Sequence, residues 1–125
     1  MKRALALGCV IILLLAGCGL VEDVPPVADA GKDQTVKVGT PVSLDASKSR
    51  EIDGGRIVEY RWTIIGVPKG KEGDVNRIVS TGASPQASVD LPGDDGALGV
   101  WTLELRVTDD GGNRAANEVH ITLTK

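Results

Sequence analysis

The chain has no phenylalanine, one tyrosine, two tryptophans and a single histidine. A core built from it must draw its aromatic bulk from Trp62, Trp101 and Tyr60, each able to bury on the order of 150–250 Å². One histidine, His120, leaves little for acid–base or triad chemistry, which needs a base held by a partner near neutral pH. The only cysteines are Cys9 and Cys18. Everything after residue 18 is therefore without a thiol for a disulfide, a cysteine-based metal site or a nucleophile. There is no run or stripe of Lys and Arg, which argues against nucleic-acid binding. The glycine-rich pieces lack phosphate-loop spacing. The longest apolar run, Ala4 to Ala16, is shorter than the roughly 20 residues that a bilayer-spanning helix needs. The sequence thus predicts a protein with no catalytic activity of its own.

What is present begins with Lys2 and Arg3, the apolar run, and then small residues ending at Cys18. This is the layout of a signal peptide. Leu15-Ala16-Gly17-Cys18 resembles the lipobox of bacterial lipoproteins, and that resemblance implies cleavage before Cys18, with a diacylglyceryl group on its sulfur and an acylated amine. An ordinary secretory signal, or an uncleaved anchor with a bystander cysteine, is the alternative. On the lipoprotein reading, residues 1–17 are the signal peptide. Residues 18–30 are the lipidated cysteine with a stiff tether containing Pro25-Pro26, and residues 31–125 are the folded domain. Two or three acyl chains, at roughly 0.8 kcal/mol per buried methylene, hold a protein firmly to a membrane. Loss of Lys2 and Arg3 leaves 12 basic residues against 17 acidic ones, a charge of about −5. That charge disfavours adhesion to anionic head groups and leaves the lipid as the membrane partner. Gly19 follows the cysteine where an Asp would resemble an inner-membrane retention signal. The expected location is the cell envelope, at the outer membrane if the source is Gram-negative.

Beyond Gly31, runs rich in Val, Ile, Thr and Leu alternate with Gly, Asp, Asn and Pro clusters, the pattern of an all-β sandwich. Strands are predicted at about 33–38, 41–46, 56–65, 76–81, 86–91, 100–108 and 115–124. Alternation is clearest in the last two. Trp101, Leu103, Leu105 and Val107 share one face, and Val119, Ile121 and Leu123 point inward opposite His120, Thr122 and Thr124. In the third strand Val58, Tyr60, Trp62 and Ile64 share a face. No segment after residue 20 forms a convincing amphipathic helix. The carboxylate pairs Asp94-Asp95 and Asp109-Asp110 lie beside glycines in turns, where Asp bonds the nearby backbone.

Asp29-Ala30-Gly31, Val42 to Ser47 (VSLDAS), Asp53-Gly54, Ile57 with Tyr60 and Trp62, and Leu105 to Gly111 (LRVTDDG) occur in an order that resembles the PKD (polycystic kidney disease) domain. The resemblance spans residues 25 to 124 and implies an immunoglobulin-like antiparallel β-sandwich of about seven strands, used as a spacer or binding module. The chain departs from the family after Trp62, where "TIIGVPKGKEGDVN" replaces an aromatic and a Gly-Asp-Gly turn, and a longer hairpin is expected at 66–76. Some PKD-like domains bind calcium at one end of the sandwich. By that resemblance Asp29 or Asp33 would approach Asp53 and Asp109 or Asp110, carboxylates of the kind calcium prefers. Otherwise these are turn-forming aspartates and no cofactor is involved.

Two functions of different kind follow. One is a lipid-anchored, non-catalytic binding or spacer module meeting protein or polysaccharide partners in the envelope. The other is an accessory subunit of an envelope enzyme or secretion complex, with the chemistry supplied by the partner.

Overall fold

The computed structural model describes residues 24–125. Cys18 and the signal-like segment lie outside the described residues. Seven strands form: β1 Gln34–Lys37, β2 Val42–Asp45, β3 Ile57–Gly66, β4 Ile78–Gly82, β5 Gln86–Val89, β6 Gly99–Asp109 and β7 Arg114–Thr124. One sheet has the order β1-β7-β6-β3-β4 and the other pairs β2 with β5. All neighbours are antiparallel except β1 and β7, which run parallel. Two 3-10 turns, Glu72–Asp74 and Asp95–Ala97, interrupt the loops before β4 and β6.

The long strands exist because their period-2 pattern lets one face bury while the other stays wet. Trp101, Leu103, Leu105 and Val107 on β6 are fully buried, as are Val119 and Ile121 on β7. Val42, Leu44 and Val89 of the small sheet close over them, with Trp62 and Ile64 from β3. The Trp101 indole donates to the Ala97 carbonyl at 2.8 Å, tying β6 to the 3-10 turn before it. Trp62 is equally buried, yet its indole nitrogen has no hydrogen-bond partner. Tyr60 is partly buried against the same cluster.

Two expectations need correction. Val58 is 38% exposed, and Ile57 packs on the core in its place. The register slips between Ile57 and Glu59, which face Asp109 and Thr108 in turn. A β-bulge of this kind adds one residue and reverses the alternation before it. The second correction concerns the tether, because the packed domain reaches back before Gly31. Pro26 and Ala30 are buried, and Val27 exchanges backbone hydrogen bonds of 2.8 and 2.9 Å with Arg50. The Ala30 amide donates to Asn117 Oδ1 at 2.8 Å. A backbone that buries apolar side chains must bond its amides, and these contacts do so.

The 66–76 excursion is held down at its far side. Lys71 Nζ lies 2.9 Å from Asp94 Oδ2, joining it to the loop before β6.

Candidate functional site

The β6–β7 turn and the β2–β3 loop meet at one end of the sandwich. In the turn, Asp109 is only 4% exposed. Its Oδ1 accepts the Gly111 amide at 3.0 Å and the Asn113 amide at 2.7 Å, and its Oδ2 accepts Asn113 Nδ2 at 3.3 Å. Burial alone would push the Asp109 carboxyl up, but the Asn113 and Gly111 donors outweigh it and hold the group below the usual carboxylate range. Gly112, at φ 85°, supplies the left-handed position that closes the turn.

From the β2–β3 loop comes Glu51, whose two carboxylate oxygens are buried without a hydrogen-bond partner. Burial first, then repulsion and proton sharing with Asp109 and Asp53, push its carboxyl up to about 7. Keeping Glu51 protonated removes the repulsion that two ionised carboxyls would suffer here. The loop can close this far because residue 55 is glycine. A Cβ there would sit 2.7 Å from Asp110 Oδ1 and 3.3 Å from Glu51 Oε1. The Asp110 amide also donates to the Arg56 carbonyl at 3.0 Å.

The structure therefore brings Asp53, Asp109 and Asp110 to one end of the sandwich, and it adds Glu51, which the sequence reading missed. No local signal marked it, because Glu51 lies in a bent loop rather than a strand and its surroundings come from the distant β6–β7 turn. Asp29 and Asp33 are placed elsewhere. The Asp29 carboxylate accepts the Gly31 amide at 2.9 Å and lines an open cleft of about 330 Å³ with Gly31, Lys32, Asp45 and Lys48. Asp33 Oδ1 accepts the His120 amide at 2.9 Å and lies 3.5 Å from the His120 ring. His120 pairs with Thr102, six rungs along the β6–β7 ladder from the Arg114–Thr108 pair, roughly 20 Å away at 3.3 Å per residue.

The calcium reading fits this geometry poorly. Among the described residues no three His, Cys, Asp or Glu side chains are arranged to hold a metal ion. Asp109 already spends its oxygens on three N–H donors, whereas calcium takes six to eight oxygen ligands. His120, half exposed on the outer sheet face, has a carboxylate as its neighbour and no hydroxyl or thiol nucleophile bonded to it.

Seven strands in two facing sheets, with connecting loops at the ends, define an immunoglobulin-like all-β sandwich. The family model described as "K319L-like, PKD domain" matches residues 30–123, and the chain belongs to that family. It is 29% identical over 112 residues to human low-density lipoprotein receptor-related protein 11, covering 83% of this chain but 19% of the human protein, under a fifth of that relative's length. Among solved structures it is similar to the solution structure of the PKD domain from KIAA 1837 protein, at 24% identity and a TM-score of 0.55, covering 85% of this chain and 92% of that one. It is similar as well to the fibronectin(III)-like modules of Clostridium thermocellum CbhA, at 12% identity and a TM-score of 0.52, covering 79% and 96%. PKD domains are typically non-catalytic interaction or spacer modules.

Proposed function

We propose that this chain is a lipid-anchored, non-catalytic binding or spacer module of the cell envelope, meeting protein or polysaccharide partners. The observation that carries the anchoring is the Leu15-Ala16-Gly17-Cys18 stretch after a charged start and an apolar run. The fold supports the rest, since a PKD sandwich presents loops and sheet faces and needs no active site. Among the described residues the first buried one is Pro26, eight Cα steps from Cys18, so the seven residues between them bridge at most about 28 Å. Such a leash keeps the domain beside the membrane surface. Gly19, in place of an Asp, supports delivery to the outer membrane of a Gram-negative cell.

Mass spectrometry of the mature amino terminus tests the anchor. The expected result is a chain that begins at Cys18 carrying a diacylglyceryl group and an acylated amine, and Cys18→Ser leaves an unlipidated precursor. An unmodified Cys18, or cleavage elsewhere, overturns the proposal. Fractionation that left the protein in the inner membrane would overturn the sorting part alone.

A further inference from the structure

The outer face of the large sheet carries charge in an unusual order. Arg61 on β3 lies directly opposite Arg106 on β6, and Glu104 on β6 lies directly opposite Glu118 on β7. Like charges in facing positions of an antiparallel pair repel, so the face holds a positive row and a negative row. They are two residues apart along the strands, roughly 6.6 Å. A single sandwich could pair these rows diagonally, but it does not. Arg61 leans away from the negative row onto Glu59, at 3.8 Å. Glu104, Arg106 and Glu118 make no ion pair among the described residues.

We propose that this face is the contact surface for a second copy of the same chain. A two-fold axis lying parallel to the face, between the rows and across the strands, places each positive row over the other copy's negative row. Arg106 of each copy then meets Glu104 of the other. The register adds a match of size as well as of charge. The positive row ends in Ala116, opposite Arg106, and the negative row ends in Thr63, opposite Glu104. Under the same axis the long Arg61 lies over the other copy's Thr63, and the long Glu118 over its Ala116. A two-fold interface must be complementary to itself, and adjacent rows of opposite sign satisfy that condition. An acidic polymer would satisfy the arginines alone, while the glutamates beside them and the chain's net charge of −3 would repel it. The rim charges and modest area of a few strands give a weak, reversible dimer. The inference is independent of the anchor proposed above.

Sedimentation equilibrium of the full chain in density-matched non-ionic detergent tests it, with charge-reversed faces as probes. Arg61→Glu with Arg106→Glu makes the positive row negative, and Glu104→Arg with Glu118→Arg makes the negative row positive. Each variant alone is expected to lose dimerisation by about tenfold or more, and an equimolar mixture of the two to regain it. Lys32→Glu with Lys48→Glu makes the same change in net charge as the first variant at a distance from the face, and should dimerise like the parent. A parent that stays monomeric at high micromolar concentration overturns the proposal. So does association that survives both reversals, which would belong to another surface or to the apolar run. Dextran sulfate binding lost in the Arg61→Glu, Arg106→Glu variant, with the parent monomeric, would assign the face to an acidic polymer instead.

Discussion

Trp62 and Trp101 allow one interaction to be weighed against an otherwise matched control. Both are fully buried in the same core, so changing either to Phe removes the same atoms and opens a similar cavity. Lost transfer energy and the cavity together cost about 1–3 kcal/mol in each case. The two sites differ at one atom. Trp101 Nε1 donates to the Ala97 carbonyl at 2.8 Å, so Trp101→Phe strands that buried carbonyl at a further cost of about 1–3 kcal/mol. Trp62 Nε1 is buried with no partner, and Trp62→Phe removes an unsatisfied donor, which offsets part of its cavity cost by a similar amount. Trp101→Phe is therefore expected to be the more damaging by at least about 2 kcal/mol, equivalent to roughly 10 °C or more in Tm for a domain of this size. Urea unfolding followed by far-ultraviolet circular dichroism measures both variants without relying on tryptophan emission. Equal losses, or a larger loss at Trp62, would refute the reasoning that the indole hydrogen bond separates the two sites.

The carboxyl pair predicts an opposed pH response. Glu51 is raised from 4.5 to about 7 in the fold, so its contribution is fully present below 4.5 and is lost as pH rises toward 7. Asp109 is lowered from 3.8, so its contribution is present above 3.8 and lost on acidification below it. Stability is expected to peak near pH 5, and Glu51→Gln should flatten the decline between pH 4.5 and 7; an unchanged slope in melts across that range sinks the assignment. Gly31 has φ 81° and a Cβ there would meet the Asp45 carbonyl oxygen at 3.0 Å, whereas Gly39 at φ 86° has nothing within 4 Å. Gly31→Ala is expected to cost about 1–3 kcal/mol and Gly39→Ala nearer 1 kcal/mol, and chemical unfolding that reversed this order would count against the contact. Melts in millimolar calcium and in chelator should superimpose, because the Asp109 oxygens are already bonded to N–H groups. A calcium-dependent rise of several degrees, abolished by Glu51→Gln, would show instead that the cluster accepts a cation.

The sandwich itself was legible in the sequence because its evidence is local. Trp101 to Val107 and Val119 to Leu123 alternate with polar residues, and a period of two has one physical solution, a strand with one face inward. Turn chemistry at Asp109 to Asn113 was equally local, since an Asp side chain that caps its own turn needs no distant neighbour. The order of motifs from Asp29 to Gly111 led to the PKD family for the same reason. The tertiary structure decided whatever depended on a partner far along the chain. Ile57 and Val58 are both β-branched and apolar, and only the bulge against Asp109 and Thr108 makes the first the inward one. Asp33 is one of several turn-like aspartates until β1 is laid parallel to β7 and its carboxylate meets His120. Glu51 reads as one more surface acid, and it becomes a buried carboxyl because Gly55 lets its loop close on the turn after β6. The paired rows of Arg61 with Arg106 and Glu104 with Glu118 arise likewise from register alone, which no single strand encodes. Periodicity tells a residue which way to face, and only the order and register of the strands tell it what it will meet there.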